Sequence, residues 1–288
     1  FVSSKSQLPI LSNILFTTDN GRLKLSATNL EIGINYWLGA KIDIDGSFTI
    51  PAKEITEFIS YLSAGKINLF LNQQSLLEVA NIKTQSTFST IPSTDFPSLP
   101  TLDQKSSIEF DFNLLSQAIS QVAFAAAIDD SRPVLTAILC NFSSEGFSLV
   151  ATDGFRLSRK IIKLTETISL PNNQELTLLI PSRSLQEVSK LAKNTKKIRF
   201  GISSDSHQLV FVLDDIELVS RLIEGDFPDY KRIIPDTFST KIYLNKNEFD
   251  QAIKIASVFA RESANVVKLS LKKDSLEISA NAPQIGQN

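Results

Sequence analysis

Three aspartates are the residues of this chain best placed for chemistry. Asp129 and Asp130 are adjacent, and Asp153 lies in the segment Ala151-Thr-Asp-Gly-Phe-Arg-Leu157. Brought together by a fold, they could pair as catalytic carboxylates or hold Mg²⁺, so a metal-dependent hydrolase is one reading. Aspartates also cap turns and helices, and that role is the expected one here. A Ser-His-Asp arrangement would have to use His207, the only histidine. Nothing near it resembles a nucleophile elbow, and it is expected in an exposed turn. Cys140 is the only cysteine and sits in the apolar run Ala137-Ile-Leu-Cys140, which predicts a core thiol. No cluster of His and Cys offers a transition-metal site, and no Gly-x-x-x-x-Gly-Lys-Ser/Thr segment offers a phosphate loop. The expectation is therefore no catalytic residue, no metal and no cofactor. Trp37, in the strand-like Ile34-Asn-Tyr-Trp-Leu38, is expected to pack and not to stack on single-stranded nucleic acid.

The elements that would position these residues recur along the chain. Pro133 of Arg132-Pro-Val-Leu135 lies 124 positions after Pro9 of Leu8-Pro-Ile-Leu11. Leu149-Val-Ala-Thr-Asp153 echoes Leu25-Ser-Ala-Thr-Asn29, and Ile180-Pro-Ser-Arg183 follows Ile50-Pro-Ala-Lys53 by 130 positions. Asp226-Phe-Pro228 follows Asp95-Phe-Pro97 by 131. A third copy opens with Phe249-Asp-Gln-Ala-Ile253, which resembles Leu115-Ser-Gln-Ala-Ile119, and continues to Ile278-Ser-Ala-Asn281. Three similar domains are expected, at 1–103, 108–235 and 241–288, with linkers at Thr101–Ser107 and Asp236–Thr240. Copy one lacks the opening helix and copy three its second half. Helical spacing links Leu115, Ile119, Val122 and Ala126, and likewise Phe249, Ile253, Ala256 and Ala260. A second helix follows each Ile-Pro landmark, through Ile55, Phe58, Ile59 and Leu62 and through Leu185, Val188 and Leu191. Strand-like runs separated by polar turns fill the rest, giving an α+β class with helices on one sheet face.

Composition narrows the function classes. At 288 residues the chain is long enough for about two domains of ~100–200 residues. The longest apolar run, Val122–Ile128, is far short of the about 20 residues a membrane helix needs. No signal peptide is visible, and a reducing, cytoplasmic setting fits the lone cysteine. The chain starts at Phe1 and has no methionine, so further sequence is expected at both ends. A net charge of −2 and pI near 5.6 argue against a protein that grips nucleic acid over its whole surface, where a pI above about 9 is usual. One basic face remains compatible with these values.

Ala151–Leu157, Glu224-Gly-Asp-Phe-Pro-Asp-Tyr230 with Arg232-Ile-Ile-Pro235, Leu8–Leu11 and Ser279-Ala-Asn-Ala-Pro283 together resemble the β subunit of bacterial DNA polymerase III, the sliding clamp family. The resemblance runs through the whole chain. It implies the α+β DNA clamp fold, with repeated domains each placing two helices on antiparallel sheet. It further implies a head-to-tail homodimeric ring around double-stranded DNA, helices lining the hole, no membrane and no catalytic activity. Partners implied are the replicative polymerase and an ATP-driven clamp loader, which dock short linear peptides between the second and third domains.

Site residues follow from that likeness. Leu135, Thr152, Gly154, Phe155, Arg156, Leu157, Pro228, Arg232 and Ile233 match the peptide pocket. Leu135, Leu157, Pro228 and Ile233 would form an apolar socket for a leucine or phenylalanine anchor. Thr152, Arg156 and Arg232 would fix polar ends, and Gly154 would allow an unusual backbone angle. Phe155 replaces a residue that varies in the family. Without the resemblance, Asp153-Gly154 reads as a tight turn between strands. The basic residues expected towards DNA are Lys5, Lys53, Arg183, Lys190, Lys193, Lys196, Lys254 and Arg261, where phosphate contacts would act without regard to sequence. Phe88, Val258 and Phe259 match the dimer edge, with a core role as the competing expectation. A repeat protein serving only as a peptide-binding scaffold is the other alternative.

Overall fold

Alternating apolar residues and short polar turns dictate the strands, and the longer helices begin at Ile-Pro steps or capping residues. The computed structural model describes residues 1–2, 8–102, 107–165, 167–170, 174–192, 195–203, 208–282 and 286–287. Lys5, Lys193 and His207 lie outside the described residues. Two compact units are present, Phe1–Pro228 and Asp229–Asn288.

The first unit contains the internal repeat in three dimensions. Strands β1 (Asn13–Asp19), β2 (Arg22–Thr28), β3 (Ile32–Leu38) and β4 (Ser47–Pro51) lead into helix α1 (Ala52–Tyr61), then β5 (Asn68–Leu71), β6 (Leu76–Ala80) and β7 (Gln85–Ser89). The second copy opens with β8 (Ile108–Asp111), α2 (Phe112–Val122) and the short α3 (Pro133–Thr136). It continues through β9 (Ala137–Ser143), β10 (Gly146–Thr152), β11 (Leu157–Lys163), β12 (Leu176–Pro181) and α4 (Ser182–Leu191). It closes with β13 (Lys197–Ile202), β14 (Gln208–Leu213) and β15 (Ile216–Arg221). Sheet order β4-β1-β2-β3 in the first copy matches β12-β9-β10-β11 in the second, and β5-β6-β7 matches β13-β14-β15.

The two copies join edge to edge. β15 pairs antiparallel with β3, from Ile216 opposite Tyr36 to Ser220 opposite Ile32. The result is one eight-stranded sheet, β4-β1-β2-β3-β15-β14-β13-β8. At one end of this seam Arg22 meets Asp215 at 2.6 Å, and its Nη2 also donates to the Trp37 carbonyl at 2.8 Å. Trp37 packs here as expected, its indole N–H donating to Asp19 at 2.7 Å. The β1–β2 hairpin turns on Asn20-Gly21, both left-handed (φ 49° and 73°), as a two-residue turn matching strand twist requires.

The second copy holds the larger core. Phe110, Phe142, Phe147, Phe200 and Phe211 are buried together, with Phe142 and Phe200 ring centroids 4.9 Å apart. α2 and α4 close this core with Leu115, Ile119, Leu185 and Val188; each such buried side chain contributes about 1.5–3 kcal/mol. The first copy has a smaller cluster around Phe16, Ile50, Ile55, Leu77 and Val79. Asp111 caps α2, its side chain accepting from the Asn113 N–H at 2.8 Å. The helical spacing expected to reach Ala126 stops at Val122. A single 3-10 turn, Ala123–Ala125, replaces the next helical turn, and the buried Ser182 hydroxyl donates to the Ala123 carbonyl at 3.3 Å. Tertiary packing thus overrides the local apolar pattern.

The second unit carries helix α5 (Lys246–Ala260), the hairpin β16 (Lys268–Leu271) with β17 (Leu276–Ser279), and the short pair β18 (Asn281–Ala282) and β19 (Gly286–Gln287). Asn245 caps α5 through bonds from the N–H groups of Asn247 and Glu248.

Candidate functional site

The segment Thr152–Leu157 forms the connection between β10 and β11, and its conformation is fixed by its own side chains. The Thr152 hydroxyl donates to the Arg156 carbonyl at 2.7 Å and accepts from the Gly154 N–H at 3.0 Å. Asp153 Oδ1 accepts from the N–H groups of Phe155 and Arg156, both at 2.9 Å. Its Oδ2 accepts from Arg156 Nε at 3.0 Å. Those two backbone N–H bonds hold the Asp153 carboxyl below the usual aspartate range, because they favour the charged form. Gly154 sits at φ +92°, so the unusual backbone angle expected there is present.

The turn expected at Asp153-Gly154 between two strands is therefore present. Thr152 is buried at 5% exposure, whereas the Phe155 ring at the loop's tip is fully exposed, at 101%. Leu157 is half-buried, and Leu135, on α3, is buried. The Leu135 carbonyl accepts from the Ala127 N–H at 2.9 Å, which ties α3 to the 3-10 turn at the end of α2. Pro228 is exposed at the end of the first unit. In the second unit, Arg232 pairs with Asp229 at 2.8 Å and Ile233 is exposed.

One residue of this neighbourhood was missed in the sequence. Phe124 lies in the apolar run Val122–Ile128, and its ring is 58% exposed. The Arg156 guanidinium carbon lies 5.7 Å from its centroid. The signal that could have found it is the helical spacing, which places 124 on the face of Gln117 and Ser120 and not on the stripe of Leu115, Ile119 and Val122.

Two of the three aspartates considered for catalysis, Asp129 and Asp153, serve the loops. Asp129 accepts from the Ser131 backbone N–H and hydroxyl, and Asp153 holds its turn as above. Among the described residues no group of three His, Cys, Asp or Glu side chains is placed to hold a metal ion. Cys140 is buried, and burial alone pushes its thiol well above the ordinary range.

The basic residues divide. Lys53 and Arg183 are exposed in the first turns of α1 and α4, equivalent places in the two copies. Lys190 pairs with Glu187 at 2.8 Å and Lys254 with Asp250 at 2.6 Å, each along its own helix. Lys196 and Arg261 are exposed. Of the dimer-edge candidates, Phe88 is half-buried and meets Phe58 edge-on at 5.2 Å. Phe259 packs against Ala256, Ala260 and Ala280. Val258 is exposed.

Comparison with known proteins covers almost the whole chain. Descriptions of the N-terminal, central and C-terminal domains of the DNA polymerase III beta subunit match residues 1–100, 109–229 and 231–288. The beta sliding clamp of Bacillus subtilis is 29% identical over 296 residues, covering 99% of this chain and 77% of the relative. The crystal structure of a DNA polymerase sliding clamp from Bacillus subtilis superposes with TM-score 0.89 at 28% identity, over 100% of this chain and 77% of that one. That of a DNA polymerase III beta subunit from Thermotoga maritima gives TM-score 0.86 at 27% identity, with the same coverage. Among the described residues no helix is long and apolar enough to cross a membrane. With its repeated strand order, its seam and these three consecutive domain matches, the chain belongs to the DNA polymerase III beta subunit family, the sliding clamps, which are non-catalytic processivity subunits.

Proposed function

We propose that the chain, as a processivity clamp, works through three clamp modules (1–103, 108–235 and 241–288) that close with a second copy around duplex DNA in the cytoplasm. The observation that carries this is the β3–β15 seam. It joins consecutive repeats by edge pairing, a mode that can be repeated without limit until a ring closes. β11 stands to its copy as β3 does to the first, and β7 stands as β15 does. Their outer edges therefore offer the same pairing to further modules, and the β7 edge, which carries Phe88, is the proposed dimer edge with Val258 and Phe259 of the second copy as its partners.

DNA is held by topology, so a few phosphate contacts suffice. Lys53 and Arg183 support this reading. A cation in the first turn of a helix works against the helix dipole, so helix stability does not explain it in either copy. Lys190, Lys196, Lys254 and Arg261 complete the proposed DNA-facing set, together with Lys5 and Lys193.

Partner peptides are proposed to dock on the Thr152–Leu157 loop beside Leu135 and Pro228. Arg232 and Ile233 are proposed contacts within the second unit. A loop fixed by five internal hydrogen bonds binds without a large ordering cost. The test is retention on a nicked circular plasmid after loading by an ATP-driven clamp loader. The clamp is expected to stay on the circle and to run off once the plasmid is linearised. Equal retention on both forms would overturn the ring reading, and peptide binding with no DNA retention would favour a scaffold.

A further inference from the structure

We propose that Phe124 is a positioning residue for partner peptides: its exposed ring holds the Arg156 guanidinium in place so that its free N–H edge can meet a backbone carbonyl of the docked peptide. This rests on the reading of Thr152–Leu157 as the peptide site. An exposed arginine ordinarily samples many rotamers, and fixing one costs entropy that binding would otherwise have to supply. Here the fixing is done in advance. Asp153 takes the Nε–H at 3.0 Å, and the guanidinium carbon lies 5.7 Å from the Phe124 centroid, within cation–π range.

The ring is itself held. The Ser158 hydroxyl donates to the Gln121 carbonyl at 2.7 Å, and the Ser182 hydroxyl to the Ala123 carbonyl at 3.3 Å. The chain just before residue 124 is thus tied to β11 and to α4. With Nε used, the terminal N–H groups of Arg156 have no protein acceptor among the described residues, and the side chain is 53% exposed. Asp153 already balances the guanidinium charge. The edge therefore suits a neutral acceptor, such as a peptide carbonyl, better than a second carboxylate.

The experiment measures affinity by fluorescence polarisation, using the full chain and a fluorescein-labelled synthetic decapeptide whose only apolar residues are one leucine and one phenylalanine. Phe124→Ala is expected to weaken binding about two- to fivefold, the range of an exposed cation–π contact. Phe124→Tyr should restore it. Phe124→Leu, which keeps apolar area but loses the π face, should behave like the alanine variant. In an Arg156→Ala background, Phe124→Ala should change nothing further. Thermal midpoints should be unaltered, because the ring is outside the core. A full additional loss in the Arg156→Ala background, or rescue by leucine, would overturn the positioning role while leaving the site intact. Wild-type affinity in Arg156→Ala would overturn the site and the positioning role together.

Discussion

Thr152→Val removes one oxygen and keeps the side chain's shape, and the structure says what that oxygen does. Thr152 is 5% exposed, and its hydroxyl donates to the Arg156 carbonyl and accepts from the Gly154 N–H. Each such bond is worth about 0.5–1.5 kcal/mol net. Both partners lie in an exposed stretch where water can replace the hydroxyl, so the lower half of the summed range applies, about 1–2 kcal/mol. The cost falls on the loop alone, since Thr152 keeps its β10–β11 pairing opposite Leu157. Native-state hydrogen exchange should show the Gly154 amide exchanging about 5–30-fold faster, and peptide affinity should fall by a similar factor. Thr152→Ser, which retains the hydroxyl, should stay within about threefold of wild type in both assays. Faster exchange at Gly154 with unchanged affinity would refute the link between loop order and binding. No change in either would refute the hydrogen-bond assignment itself.

Charge reversal should separate the basic residues. Arg183→Glu should shorten residence on circular DNA at low salt more than Lys190→Glu, because Lys190 is already paired with Glu187; equal effects would count against the DNA-facing reading of Arg183. Asp111→Ala should destabilise the first unit by about 1 kcal/mol in urea melts through loss of the α2 cap, with Asp111→Asn close to wild type. Burial pushes the Glu217 carboxyl up, opposed by the Asn35 hydrogen bond and Lys24 and aided by Asp19. A raised native value means that stability is fullest below the ordinary glutamate range and declines as pH rises through the native value. Glu217→Gln should therefore gain on wild type in thermal midpoint at pH 7 relative to pH 4. An equal difference at both pH values would show that Glu217 is not titrating in the seam.

Much of the fold was legible because it is repeated. The offsets between Pro9 and Pro133 and between Ile50-Pro51 and Ile180-Pro181 mark equivalent strands and helices, and the structure keeps their order. Period and punctuation are local properties of a chain, so they survive reading in one dimension. The turn at Asp153-Gly154 and the burial of Cys140 were legible for the same reason. The seam was not. Nothing in Ile32–Leu38 or Ile216–Arg221 says that these strands pair with each other, because edge pairing is decided by which module ends up beside which. The Lys190 and Lys254 pairs lie at i,i+3 and i,i+4 and were within reach of the sequence, whereas it could not show that Arg183 has no ion pair within 4 Å among the described residues. Phe124 is the sharpest case. Its apolar neighbours do not announce an exposed ring, and only the tertiary structure brings that ring to the Arg156 guanidinium. The sequence determined the modules and their internal patterns. The tertiary structure decided how modules join and which side chains face solvent, because both depend on contacts between residues far apart in the chain.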